Sequence, residues 1–350
     1  METLPNLART RLNPYQRSST GIAPEHDEIP QSPYDPVGLY GGNQMGTFAT
    51  SRYAVCTSFA VAMLAACSGS QPPIGEAAAV PQTARATTIH FAFLTDSHAK
   101  TVSAYVIRAN GALMRVKASP FATGTFPIAL AVDPTGKFVY VANMSSNDVS
   151  AYAVNAANGA LTQVQGSPFA AGSAPRDVAI DPSGRFAFVA NAGSGNVSAY
   201  TIETGSGALR PVAGSPFAAG GYPWRMAIEP TGKFAYVANA DSNDISAYFI
   251  NRSGVLRQIK GSPFAARSHP SGVAIDPTGA FAYVANANNN NVSAYSIDAK
   301  SGTLTQVPGS PFSAGSSPWN VAIAPSGRFA YVTNLESDNV SAPSMQAAVD

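Results

Sequence analysis

From about residue 88 onward, apolar and polar positions recur in a unit of about 48 residues, and the copy beginning at Pro175 reads most clearly. It holds four short apolar runs: Val178-Ala-Ile180, Phe186-Ala-Phe-Val189, Val197-Ser-Ala-Tyr-Thr-Ile202 and a weaker Ala208-Leu-Arg-Pro-Val212. Between the first two lies Asp181-Pro-Ser-Gly184, with Pro and Gly where a type I turn wants them. Asp133-Pro-Thr-Gly136, Glu229-Pro-Thr-Gly232, Asp276-Pro-Thr-Gly279 and Ala324-Pro-Ser-Gly327 repeat that hairpin tip. An Asn/Ser/Asp/Gly loop follows the second run and a Gly-marked turn the third, so each copy predicts a four-stranded antiparallel meander without helix. The Ser-Pro-Phe step that closes each copy has its serine at Ser119, Ser167, Ser215, Ser262 and Ser310, at intervals of 48, 48, 47 and 48. A period that steady marks a repeat architecture.

Alternation along the second strand puts Phe234, Tyr236 and Ala238 on one face and Ala235 and Val237 on the other. Neither face is polar, so both must be covered. Stacking each sheet on the next achieves this, with the aromatics of one meeting the small residues of its neighbour. The fold class expected is therefore all-β: a β-propeller of four-stranded antiparallel blades, with a parallel β-helix as the rival. About six blade units are expected over residues 88–343. The first opens at its second strand (Ile89-His-Phe-Ala-Phe-Leu-Thr95), and the last breaks in its third strand at Pro343, where other copies have Tyr. Either the ring closes with about six blades or the product is truncated.

Tyr331-Val-Thr-Asn334 and its variants Tyr140-Val-Ala-Asn143, Phe188-Val-Ala-Asn191, Tyr236-Val-Ala-Asn239 and Tyr283-Val-Ala-Asn286 resemble the YVTN repeat of lactonase-type β-propellers, the family similar to 6-phosphogluconolactonase and to fungal muconate-lactone cyclases. The resemblance spans roughly residues 88–343 and implies a propeller, usually of seven blades. It also implies lactone hydrolysis as a candidate activity, with His, Glu and Arg around the central channel. No motif assigns those roles to particular residues of this chain.

Charged residues are 12% of the chain, and 21 basic side chains nearly cancel 20 acidic ones. That leaves no basic field for nucleic acid. Cys56 and Cys67 both precede the repeats, which excludes a disulfide framework or a cysteine metal site in the propeller. Residues 1–44, rich in Pro, Gly, Arg and Gln, read as a disordered leader outside the native product. Met45 begins a better N-terminus, because Arg52 precedes an apolar run, Tyr53 to Ala66, that ends in Leu64-Ala-Ala-Cys67. Residues 45–66 thus read as a secretory signal peptide of lipoprotein type. Cys67 resembles the acylated cysteine of a bacterial lipobox, and residues 67–87 form a flexible tether, leaving 344–350 as a tail. These features predict an extracytoplasmic protein joined to a membrane through lipid at Cys67, with Ser68 pointing to an outer membrane where the host has one.

No Gly-x-Ser-x-Gly elbow, His-Glu-x-x-His, phosphate loop or dinucleotide fingerprint occurs, and no cofactor or metal is expected. Asp133, Asp181, Glu229 and Asp276 each stand at position i of a Pro-Gly turn and are read as turn caps. Asp241-Ser-Asn-Asp244 and Asn288-Asn-Asn-Asn291 read as hairpin loops rather than calcium ligands. Positions alike in every copy serve the fold, so chemistry is sought where the copies differ on a shared surface. After the proline that opens each first strand stand Ile128-Ala129, Arg176-Asp177, Trp224-Arg225, Ser271-Gly272 and Trp319-Asn320, with His269 just before Pro270. Both tryptophans of the chain fall in this set. One reading is a small pocket at the channel mouth, with Trp224, Trp319 and Asn320 binding a ligand and Arg176, Asp177, Arg225 and His269 as catalytic candidates. The other is a plug sealing the axis, with Arg176 paired to Asp177. The function expected is a binding or surface-interaction module that takes a small molecule or surface partner there. A lactone hydrolase is the alternative, with Arg225 or Arg176 polarising the carbonyl and His269 or Asp177 activating water.

Overall fold

A computed structural model describes residues 90–342. The leader, signal peptide, tether, Cys67, Pro343 and tail all lie outside the described residues. The described chain forms six antiparallel sheets in sequence order, with one short 3-10 turn, Ala287–Asn289, as its helical element. It is an all-β propeller of six described blades, in which, from blade 2 to blade 6, the first strand of each blade packs against the first strand of the next. Blade 3 shows the pattern: Pro175–Ile180, Phe186–Asn191, Asn196–Ile202 and Leu209–Pro211 pair in order. Blade 1 opens at the second-strand position with His90–Asp96. Blade 6 comprises Pro318–Ile323, Ala330–Asn334 and Asn339–Ser341. Six blade units match the sequence expectation, while the break expected at Pro343 lies outside the described residues.

The sequence reading missed one element. Each Ser-Pro-Phe step forms a second short strand, Phe217–Ala218 in blade 3, that pairs with the same third strand as Leu209–Pro211 does. The outer strand is thus one edge broken in two. In the gap, Ser215 Oγ accepts the Ala199 N–H at 2.9 Å, and Ser119, Ser167, Ser262 and Ser310 do the same in their blades. A serine recurs there because a ladder donor would otherwise be left unpaired in a part-buried site.

The turn acids are caps. Asp181 Oδ1 accepts the N–H of Phe186 at 2.7 Å, and its Oδ2 that of Ser183 at 3.1 Å. Asp133, Glu229 and Asp276 make equivalent bonds. Each Asn that ends a second strand is buried and spans the following hairpin. Asn191 Nδ2 donates to Asn196 Oδ1 (2.8 Å) and Ser198 Oγ (2.9 Å). The loop Asn288–Asn291 is spent in the same way, with Asn291 Oδ1 accepting from Asn286 at 2.9 Å.

Between blades the core is the predicted interleaving. Phe138, Tyr140 and Ala142 of blade 2 pack on Val178, Ala187 and Val189 of blade 3, and Phe186 and Phe188 on Ala235 and Val237 of blade 4. Tyrosine hydroxyls bridge the interfaces as well. Tyr140 donates to Gly207 O at 2.9 Å and Tyr236 to Gly302 O at 2.8 Å. The same register along every interface places the starts of the first strands side by side, and there the copies diverge.

Candidate functional site

Each first strand begins with three backbone features. The residue before the proline is left-handed (Phe126, Ala174, Tyr222, His269 and Ser317, φ from 50° to 57°). The proline follows, and the next residue lies in a register shift against the second strand, between Pro175 and Asp177 or Pro223 and Arg225, for example. An extra residue in one strand of a pair re-aims its side chain. Ile128, Arg176, Trp224, Ser271 and Trp319 all occupy that extra position.

Trp224 is the hub. It is 1% exposed. The Arg176 guanidinium lies over its ring at 3.8 Å from the centroid, a cation–π stack. The His269 ring meets it edge-on at 5.2 Å and the Trp319 ring at 5.0 Å, with an interplanar angle of 89° for the tryptophan pair. Tyr222 packs 5.5 Å away and its hydroxyl accepts from Arg176 Nη2 at 3.3 Å. Trp224 belongs to blade 4 and Trp319 to blade 6, so the rings meet across blade 5. Blade 5 offers Ser271 and Gly272 there, and Ser271 Oγ donates to the Pro318 and Ala285 carbonyls (2.7 and 3.3 Å). A Cβ on Gly272 would come within 2.9 Å of Asn320 Cα, so the inner strands of blades 5 and 6 approach as closely as glycine allows.

The position after the bulge carries the second group. Asp177 does not pair with Arg176, as the plug reading expected. Its Oδ1 lies 3.4 Å from Arg225 Nη1, and its Oδ2 accepts the Met226 N–H at 2.9 Å, so it joins blades 3 and 4. Arg176 points to the tryptophan because bulge and post-bulge residues face different ways. Burial pushes the Asp177 carboxyl above its ordinary range, and Arg225 and the backbone donors offset this only in part. Burial also lowers the His269 pKa, with Arg176 adding to the effect against Asp241, so the imidazole is neutral at pH 7.

Of the residues singled out from sequence, Arg176, Trp224, His269 and Trp319 form one cluster and Asp177 with Arg225 a second. Asn320 adjoins Gly272. The floor is closed: Arg176, Trp224, His269 and Trp319 are all buried, whereas Tyr222, Arg225 and Asn320 remain partly open. A cavity of about 410 Å³ at Val116, Lys117, Ala118, Asn158 and Ala160 shares no residue with this cluster. Tyr222 was not foreseen. It stands where His269 does, before the proline, and comparing all five residues at that position would have found it. Among the described residues, no group of three or more His, Cys, Asp or Glu is placed to hold a metal ion.

Solved structures with a similar fold include a putative 6-phosphogluconolactonase from Bacteroides uniformis (20% identity, 74% of this chain and 78% of that one, TM-score 0.62). Another is the periplasmic gluconolactonase of Pseudomonas aeruginosa (23%, 71% and 74%, 0.60). A third is a protein from Lactobacillus plantarum (22%, 66% and 70%, 0.57). At these identities the likeness is one of fold. No curated protein matches the chain. The family model for lactonase, a seven-bladed β-propeller, matches residues 84–223 and 226–348. Together with the recurring Tyr/Phe-Val-Ala/Thr-Asn strand ends and the blades they build, that match makes this chain a member of the lactonase seven-bladed β-propeller family.

Proposed function

We propose that this protein is an extracytoplasmic propeller, held to a membrane through lipid at Cys67, that binds a small oxygen-rich molecule over the Trp224 cluster. The supporting observation is the division between floor and rim. Trp224, carrying Arg176 on its face, is a rigid base, while Tyr222, Arg225 and Asn320 offer a hydroxyl, a guanidinium and a carboxamide beside it. Apolar walls with a few polar groups are how small-ligand sites are built. The Leu64-Ala-Ala-Cys67 step followed by a Ser/Gly/Pro tether supports the anchor. The periplasmic origin of one structural neighbour agrees with the location.

Titration of the soluble domain with sugar lactones and their acids, followed by tryptophan fluorescence, tests binding. Both tryptophans lie in the site. The expected result is saturable quenching weakened at least tenfold by Arg225→Gln, a loss of about 1.4 kcal/mol or more. Saturable quenching that Arg225→Gln leaves unchanged places the ligand elsewhere. For the anchor, Cys67→Ser should abolish labelling by a fatty-acid probe in a bacterial host and release the protein from the membrane fraction.

Lactone hydrolysis is the second reading, and the Asp177–Arg225 pair favours it. A carboxylate whose pKa is raised by burial is a better general base than an ordinary one. Arg225 beside it is placed to stabilise charge developing on a carbonyl oxygen. In this reading Asp177 takes a proton from water as its oxygen attacks the lactone carbon, the ring C–O bond breaks, and the proton returns to the leaving alkoxide. Arg176, buried against Trp224, is the weaker candidate for that work. Acid release from a lactone, abolished by Asp177→Asn in a folded protein, would favour this reading.

A further inference from the structure

The pre-proline residue at each blade junction is the hinge between blades, and three of the five are clamped by the preceding blade. Asn147 Oδ1 accepts the Ala174 N–H at 2.8 Å, Asn243 Oδ1 that of His269 at 2.8 Å, and Asn290 Oδ1 that of Ser317 at 2.9 Å. All three asparagines are left-handed, with φ of 59°, 59° and 54°, in the hairpin between second and third strands. At the junction of blades 3 and 4 the equivalent residue is Gly195, with φ of 61° and no side chain to offer. The hinge there is Tyr222. Its segment is tied mainly to its own blade: Tyr222 O accepts from Ala240 N at 3.0 Å, and Gly221 N donates to Ser242 Oγ at 2.9 Å. Gly221 beside it lowers the cost of moving the backbone.

Blade 2 also lacks the clamp, since Lys100 precedes Phe126; at the junction of blades 3 and 4 the unclamped Tyr222 packs on a buried polar group. Its hydroxyl meets Arg176 Nη2, and its ring lies 5.4 Å from the Arg176 guanidinium carbon. Arg176 is 2% exposed although Tyr222 above it is partly open. We propose that Tyr222 is a gate: the segment around Gly221 swings on its own blade, lifts the tyrosine from the guanidinium, and admits a ligand to the Arg176–Trp224 base. The gate rests on the reading of this ring as a binding site. It explains how a closed floor takes a ligand, since opening requires a segment whose backbone lacks the asparagine clamp of the preceding blade, leaving the Tyr222–Arg176 contact to be broken.

The test uses Gly195→Asn, which installs the residue three other junctions already carry at the same backbone angle. A Cβ at Gly195 meets nothing closer than Gly220 O at 3.5 Å. The probe is phenylglyoxal, which adds to guanidinium groups, with the rate read at the Arg176 peptide by mass spectrometry. Arg210, whose side chain is 73% exposed, is the internal control. Expected is slow labelling of Arg176 in the native protein. Gly195→Asn should slow it roughly fivefold, the factor one net hydrogen bond supplies, and Tyr222→Ala should speed it at least as much, with Arg210 unchanged in both. Equal rates in the native protein and Gly195→Asn would overturn the gate, as would labelling no faster in Tyr222→Ala. If Tyr222→Ala does not fold, the asparagine variant alone decides. No ligand is needed, so labelling as expected while no lactone or acid quenches fluorescence would refute the binding reading and leave the movement of Tyr222 standing without a ligand to admit.

Discussion

The Asp177–Arg225 pair makes a sharp test, because its two substitutions are expected to differ. Both side chains are about nine-tenths buried, and the N–O separation of 3.4 Å is long for an ion pair. Burial outweighs Arg225 in setting the Asp177 pKa, which is raised. The carboxyl is therefore better accommodated in the fold when neutral. Asp177→Asn, a neutral isostere that still offers an oxygen to Met226 N–H and Arg225, should cost under about 1 kcal/mol at pH 7 or even stabilise. Asp177→Ala leaves the Met226 N–H and the Arg225 guanidinium without that acceptor and should cost about 2–4 kcal/mol, roughly 5–15 °C in Tm for a domain of this size. The pH dependence carries the sign. A raised folded pKa means the contribution of Asp177 to stability is full below its ordinary value of 3.8 and is lost as pH rises through the folded value. Urea unfolding followed by tryptophan fluorescence should show that loss in the native protein, and Asp177→Asn should remove it. If Asn costs as much as Ala, the charge pair is net stabilising and the argument from burial is wrong.

Three further outcomes follow from comparing the copies. Phe188 stands where Tyr140 and Tyr236 bond to a glycine carbonyl of the next blade, so Phe188→Tyr should gain about 0.5–1.5 kcal/mol through Gly254 O. A thermal melt showing no gain would mean the shorter turn Asn251-Arg-Ser-Gly254 holds that carbonyl out of reach. Asp181→Ala removes a turn cap bonded to Phe186 and Ser183 and should cost about 1–2 kcal/mol while leaving ligand quenching unchanged; altered quenching would link the turn to the site. Ser271→Val deletes the bonds to Pro318 and Ala285 and crowds the space in which Trp224 and Trp319 meet. It should weaken the exciton-coupled circular dichroism of the tryptophan pair, and an unchanged band would show that blade 5 does not set their contact.

The fold was legible because repetition multiplies weak signals. One Asp-Pro-Ser-Gly tetrad is an ordinary turn, but five at a fixed period, each between an apolar and an aromatic run, specify hairpins and stacked blades. The short strand at Phe217–Ala218 escaped because two residues carry no periodicity. Its partner choice depends on the break that Ser215 bridges. At the site, divergence among copies picked out Arg176, Trp224, His269 and Trp319, and the structure brings them together. Which charges pair was not legible. Adjacent residues suggested Arg176 with Asp177, but the bulge turns them apart and gives Asp177 a partner 48 positions away. Spacing in a repeat says which residues share a level of the ring, and a register shift within the strand decides which way each one faces.

That register shift also explains why the divergent positions cannot vary independently. The first strands stand side by side, so the extra residue of each blade competes with those of its neighbours for the same space. Trp224 has Arg176 on one side and reaches Trp319 on the other only because blade 5 contributes Ser271 and Gly272. With a large residue in blade 5 the two tryptophans would be held apart. With small residues in blades 4 and 6 the same space would be a void, whose lining loses packing contacts. The tryptophans, the serine and the glycine are therefore one packing solution distributed over three copies. A chain built from near-identical units holds this asymmetry at the one level where strand pairing is already interrupted, so a site is assembled there without altering the turns, asparagines and serines that build each blade.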